Sequence, residues 1–422
     1  MIGGHRFQGL WRNGNFLKLW AGETVSVFGS QISVVAIPLL AVLTFEATPA
    51  EIGFLTAAGE LPALMLALFI GVWVDRLRRR PVMIAANLGR ALLLFLIPLA
   101  VWFEWLNILL LYVISFLAGI LTVFFAVGYQ SYLPTIVRRD QLVEGNSRLA
   151  MSASGAGIIG PALAGGIVQL VSAAFAILLD AISYLVSVIF LWRIDADEAA
   201  PEQGKARAGM RREIGEGLRA ILDEPILRTL GISTGIAVLF ENILFVAVVL
   251  YITRELGLSA GTFGIVFAAA GVGYFAGAVI ANRLSAWLGL GRAIVAGLAI
   301  AAVGQILIPL ASGPAAVAVP LLLAGFFLSG TGSPVYDLNQ VSLRQAVTPD
   351  RLRGRVNGSL RVVIRGAAPV GAILGGLLGE WIGLRPTLAI AAIGFPLAIL
   401  VVWFSPVRPL LTPPEEADIS YQ

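Results

Sequence analysis

The sequence predicts an all-α membrane protein, with twelve transmembrane helices in two pseudo-symmetric halves of six. Three observations carry that expectation. The 422 residues are 58% hydrophobic and only 13% charged, about half the ~25% charge of a soluble domain, and the mean hydropathy is +0.89. Apolar windows of about 20 residues, the length that crosses a bilayer as helix, recur twelve times. Segments of the first half also return, in the same order, in the second.

The windows fall at roughly 18–44, 50–74, 81–102, 106–130, 149–171, 173–193, 229–252, 261–286, 292–312, 315–338, 358–380 and 386–404. No secretory signal precedes the first of them. The even-numbered connectors hold Arg76 to Arg80, Arg138 and Arg139, Lys205 to Arg228, Arg292, and Arg351 to Arg355, whereas the odd-numbered ones hold only Arg254 and Arg385. By the positive-inside rule the basic loops and both termini are cytoplasmic. This places the chain in the cytoplasmic membrane of a prokaryote, as a monomer. A pI near 9.6 would suggest nucleic acid in a soluble protein, but here the bases serve membrane topology.

The chain divides at its one long polar connector. Residues 1–194 form the first half and 195–228 a cytoplasmic linker. Residues 229–405 form the second half and 406–422 a tail. Within the linker, Ile214, Leu218, Ile221 and Leu222 have helical spacing beside arginines, which predicts an amphipathic helix on the membrane surface.

The repeat is visible by eye. "YQSYLPTIVRRDQL" (129–142) lies over "NQVSLRQAVTPDRL" (339–352), and "GAGIIGPALAG" (155–165) over "GAAPVGAILGG" (366–376). "DRL" (75–77) likewise lies over "NRL" (282–284). Parallel six-span repeats are the build of secondary transporters, which bind substrate between the halves.

Two motifs give the chain a family resemblance. "GVWVDRLRRRP" (71–81) resembles motif A of the major facilitator superfamily, with Gly71, Asp75, Arg76, Arg79 and Arg80 matching and Arg78 replacing a glycine. "GIIGPALAG" (157–165) resembles the antiporter motif G-P-x-x-G-G through Gly160, Pro161 and Gly165, with Ala164 in place of a glycine. "LLDAISYL" and "RGRVNGSLR" further resemble the macrolide-efflux and enterobactin-exporter branch. The resemblance implies the major facilitator fold and export by alternating access. It implies that Asp75 latches the halves against the start of span 11, and that spans 1, 4, 7 and 10 line the cavity.

Charges inside spans cost about 2.5–3.5 kcal/mol on the insertion scale and so mark candidate sites. Glu23, Glu60, Asp180 and Glu241 are the proton-coupling candidates, and Arg90 and Arg365 the buried basic partners. Glu60 and Arg90 reach similar depths, which suits an ion pair, while Glu241 has no evident partner. Polar stripes at helical spacing mark cavity walls. They are Ser26, Ser30 and Ser33 beside Glu23; Tyr112, Ser115 and Thr122; and Ser333, Tyr336 and Gln340, with Asn242 beside Glu241.

The function expected is proton-coupled efflux of amphipathic small molecules such as drugs or siderophores. The alternatives are an uncoupled facilitator or importer and, more remotely, a membrane-embedded enzyme. With no cysteine and a single His5, thiolate chemistry is excluded and no metal or cofactor is expected. The absence of cysteine also permits a direct test of topology. A lone cysteine at Lys205 should react with an impermeant maleimide only from the cytoplasm, and one at Thr48 only from outside. Labelling of both from one face would refute the twelve-span order.

Overall fold

The computed structural model describes residues 10–74, 77–196, 198, 210–349 and 352–412; among these residues no strand occurs. The helices of the first half are α1 (Gly14–Phe45), α2 (Pro49–Val74), α3 (Arg79–Trp102), α4 (Ile108–Ile136), α5 (Leu142–Leu170) and α6 (Ala173–Trp192). A connector helix α7 (Met210–Asp223) follows. The second half comprises α8 (Pro225–Leu250), α9 (Ala260–Leu288), α10 (Leu290–Leu310), α11 (Ala315–Val347), α12 (Arg353–Ile382), α13 (Leu384–Gly394) and α14 (Pro396–Trp403). Among the described residues, eleven stretches are long and apolar enough to cross a membrane, α13 and α14 together making one of them. The twelfth position is taken by α2, 26 residues long.

Local chemistry sets the helix ends. Asn13, Asn107, Ser172 and Ser259 each turn a side-chain oxygen onto the first free N–H groups of α1, α4, α6 and α9, which would otherwise lack a partner. Pro225 opens α8, where its missing N–H costs nothing. The last span is interrupted at Phe395 and Pro396, because proline there has no N–H to give to the preceding turn. Several helices overrun the hydropathy windows: α5 starts at Leu142, α12 at Arg353, and α11 continues to Val347. Their ends are polar, so hydropathy drops while backbone hydrogen bonding continues.

Within the first half α1 packs on α5 and α6, α3 on α4 and α6, and α2 on α4. In the second, α8 packs on α12, α13 and α14, while α9 and α10 pack on α11. α7 lies against α8 and α12, with Ile221 buried and Leu218 and Leu222 exposed; the Ile214 side chain lies outside those described. The halves meet chiefly through two pairs, α2 with α12 and α5 with α9.

Those two pairs are built alike, and the sequence repeat explains why. Repeat-aligned Gly165 and Gly376 both stand where no side chain fits. A Cβ on Gly165 would lie 2.8 Å from the Cα of Gly264, and one on Gly376 would lie 3.0 Å from the Cα of Gly53. Repeat-aligned Gly160 and Gly371 act within their own halves, receiving Gln31 of α1 and Asn242 of α8. Near the same end, Gln169 Oε1 accepts the backbone N–H of Gly261 at 2.9 Å, and Glu380 Oε2 accepts that of Ala50 at 3.4 Å. The glycine contacts and these bonds all lie toward the face opposite the basic loops. Small residues let helix backbones approach this closely in a membrane.

Gly376→Val should therefore destabilise the chain by roughly 1–3 kcal/mol, the usual cost of overpacking. The clash is with the backbone of Pro49, Ala50 and Gly53 and cannot be relieved by a rotamer change. Thermal unfolding in detergent checks this. Gly166 is the control, since a Cβ there meets nothing within 4 Å, and Gly166→Ala should leave the melting point no lower, Ala being the better helix former.

Candidate functional site

A cavity of about 630 Å³ lies between α5 of the first half and α8, α9, α10 and α11 of the second. Its polar wall comprises Ser154, Glu241, Tyr274, Gln305, Ser329 and Ser333, set among aliphatic and phenylalanine side chains. A neighbouring cavity of about 350 Å³ reaches down α8 and α11, past Tyr336, Asp337 and Gln340. Glu241 and Ser333 line both spaces. Glu241 is exposed within them rather than packed between helices. The charge that neighbours it is Asp337, also an acid. Tyr336 is held in place by Thr234 at 2.6 Å and Ser233 at 3.5 Å.

The remaining residues marked in the sequence occupy several other places. Glu60 does not pair with Arg90. It meets Arg365 at 3.5 Å, joining α2 to α12. The reason is topological: α2 faces α12 across the interface, whereas Arg90 of α3 points into its own half. Arg365 is also not buried, its side chain being 57% exposed. Arg90 is only 5% exposed, held between the rings of Phe125 and Tyr184 at 4.6 and 4.2 Å and bonded to Asn87.

The stripe on α1 departs from the expected cavity wall. Ser30 bonds Tyr184 at 2.9 Å and Ser33 donates to Asp180 Oδ2 at 2.5 Å, both on α6, and Ser26 is buried. Asp180 itself is 1% exposed and also accepts from Ser183 at 3.1 Å. It joins α1 to α6 where Gly29 lets them close together. On α4, Tyr112 donates to the Glu51 carbonyl at 3.3 Å and Thr122 to the Ala118 carbonyl at 2.8 Å, and Ser115 is half-buried. Asn242 donates to the Val238 carbonyl at 2.9 Å beside Gly371. Helical period locates a polar face, but not which neighbour covers it.

Asp75 and Arg76 lie outside the described residues. Gly71 falls in the last turn of α2, Arg78 is exposed, and Arg79 and Arg80 open α3. Glu198 accepts the backbone N–H groups of both Arg79 and Arg80, a carboxylate placed at the positive end of a helix. Arg80 Nε in turn donates to the Leu191 carbonyl at 2.8 Å, tying α3 to the end of α6. Gly160, Pro161 and Gly165 are all buried on α5.

Asp337, Gln305 and Tyr274 were not singled out in the sequence. Asp337 follows Ser333 by four residues, so extending that stripe by one helical turn would have found it. Gln305 is an isolated polar residue in an apolar span, a weaker signal.

The comparisons agree with this architecture. A family model described as transmembrane secretion effector matches residues 9–418. The chain belongs to that family of major facilitator transporters. It is 26% identical over 396 residues to the multidrug efflux pump Tap of Mycolicibacterium fortuitum, covering 92% of this chain and 93% of that one. It is 27% identical to Tap of Mycobacterium tuberculosis, covering 97% and 98%. A bacterial homologue of the iron transporter ferroportin, solved in an inward-facing state, shares the fold with a TM-score of 0.73 at 18% identity, covering 94% of this chain and 99% of that one. The nucleoside transporter NupG does so with a TM-score of 0.71 at 12% identity, covering 92% and 97%. The protein is thus a multi-pass membrane transporter and not an enzyme.

The two polar pairings described above should differ in weight. Glu60 and Arg365 are 41% and 57% exposed, so a double-mutant cycle on Glu60→Gln and Arg365→Gln should give a coupling of about 0.2–1 kcal/mol. Asp180→Ala leaves the buried Ser33 hydroxyl without its acceptor, while Ser183 keeps the backbone carbonyl of residue 180 at 2.7 Å, and should cost about 1–3 kcal/mol. Melting of the purified variants measures both, and equal losses would contradict the contrast.

Proposed function

We propose that this transporter exports amphipathic small molecules, preferably cationic ones, in exchange for protons. The observation that carries the reading is Glu241, a carboxyl group that faces two connected cavities in a largely apolar wall. An ionised acid at this depth is costly when the cavity is empty. A proton or a bound cation relieves the same cost, so the two compete for one group. Asp337, the neighbouring acid, lines the smaller cavity with Arg344, whose charge partly offsets its own, so Glu241 is the acid that sets the preference for positive charge.

The coupling is energetically adequate. One elementary charge moved across 100 mV supplies roughly 2.3 kcal/mol, enough for about a fifty-fold gradient at tenfold per 1.4 kcal/mol. The halves, 1–194 and 229–405, rock about the cavity in an alternating-access cycle, joined by the 195–228 linker. In this scheme the glycine contacts of α2 with α12 and α5 with α9 serve as the outer closure, so that the cavity exchanges with the cytoplasm. Both termini and the 406–422 tail are cytoplasmic in this scheme, with the chain in the inner membrane as a monomer. The Gly71–Arg80 stretch latches the opposite, outward-facing state. The resemblance of Gly160, Pro161 and Gly165 to the antiporter motif and the efflux activity named for the Tap relatives both favour export.

Glu241→Gln should abolish accumulation of a lipophilic cation in inverted vesicles under an imposed pH gradient, yet retain downhill exchange. Asp337→Asn should weaken binding of the cation and leave a neutral amphipath unaffected. Uphill transport by Glu241→Gln at an undiminished rate would sink the assignment.

A further inference from the structure

A second group of charges lies inside the first half, away from the residues that line the cavities. Glu23 of α1, Arg90 of α3 and Asp180 of α6 interact electrostatically, Arg90 being the cation whose field reaches both acids. Arg90 is buried with its Nε unpartnered, and Glu23 Oε2 is buried with no hydrogen-bond partner. Asp180 is satisfied, its two oxygens accepting from Ser33 and Ser183. The groups facing Glu23 come from each helix around it. α3 presents Arg90, α4 Tyr129 and α6 Tyr184, with Asp180 reached only through Arg90, while α5 meets the next residue, Thr24, through the uncharged Ser152 at 2.9 Å.

The charge count decides the protonation state. Arg90 keeps its charge at any physiological pH, and a buried cluster with uncompensated charge is strongly disfavoured. Two ionised acids would leave it negative and two neutral ones positive. One proton makes it neutral. Asp180, with two hydroxyl donors, is the carboxylate that balances Arg90, and Glu23, with an oxygen that accepts nothing, carries the proton.

We propose that Glu23, Arg90 and Asp180 form a second proton site, which holds one exchangeable proton on Glu23 independently of the cavity acids. Glu23 retains partial exposure on α1. Its neighbour Thr24 bonds Ser152, one residue from the cavity-lining Ala153 and Ser154. The use of this proton as a second coupled one rests on the proton-driven reading above, whereas the site itself does not.

The test uses the purified full chain. By potentiometric titration, Glu23→Gln should bind one proton fewer than wild type near neutral pH while melting close to it. Asp180→Asn should also bind one fewer, because Glu23 must then ionise to balance Arg90. The Glu23→Gln, Asp180→Asn double variant should melt lowest or fail to fold, and adding Arg90→Gln should recover it. An unchanged proton count in Glu23→Gln overturns the site, as does a double variant that melts no lower than the singles or is not recovered. In proteoliposomes Glu23→Gln should lower the ratio of protons to substrate moved, and an unchanged ratio refutes exchange. If Glu241→Gln still drives uphill transport while the proton count falls in Glu23→Gln, the export reading fails and this site stands.

Discussion

The close approach of bare backbone to bare backbone, Gly165 on Gly264 and Gly376 on Gly53, is the contact on which the rest of the architecture depends. In a bilayer the lipid tails are as apolar as any side chain, so two bundles gain little from hiding apolar surface against each other. What holds them is close packing, and glycine allows the closest. With the halves joined through α2 with α12 and α5 with α9, the space left between α5 and the second half becomes the cavity.

The two halves carry similar packing but different polar chemistry. The first half encloses its charges: Arg90 is held between two rings and Asp180 is bonded to serines. The second half directs its acids into open space, where Glu241 and Asp337 line the cavities. The sequence repeat puts glycines at matching positions in both halves, and the division of acids is what makes the halves unequal partners. Glu60 and Arg365 bridge the two at the interface, exposed enough to separate and re-form at small cost.

The basic loop that opens α3 shows how one stretch serves several ends. Its arginines are the densest charge in the chain and carry the orientation expected from the positive-inside rule. The backbone of Arg79 and Arg80 receives Glu198, and the Arg80 side chain reaches the end of α6. The start of the linker between the halves is thereby fixed to the start of the third span, so a shift of α3 is felt by the linker.

The sequence by itself determined the helical class, the apolar spans though not the polar ends of their helices, the repeat and the presence of an acid, Glu241, deep in a span. Each of these depends on local composition or on period, and the bilayer enforces both: a segment must be apolar for about 20 residues and must satisfy its own backbone. Only the tertiary structure decided which polar faces meet which neighbours. Ser26, Ser30 and Ser33 form as regular a stripe as Ser333, Tyr336 and Gln340, yet α6 covers the first and a cavity receives the second. Glu60 found Arg365, hundreds of residues away, rather than Arg90 nearby, because α2 crosses α12 at the interface. A polar stripe specifies that something must pair with it, and the packing of distant helices determines the partner.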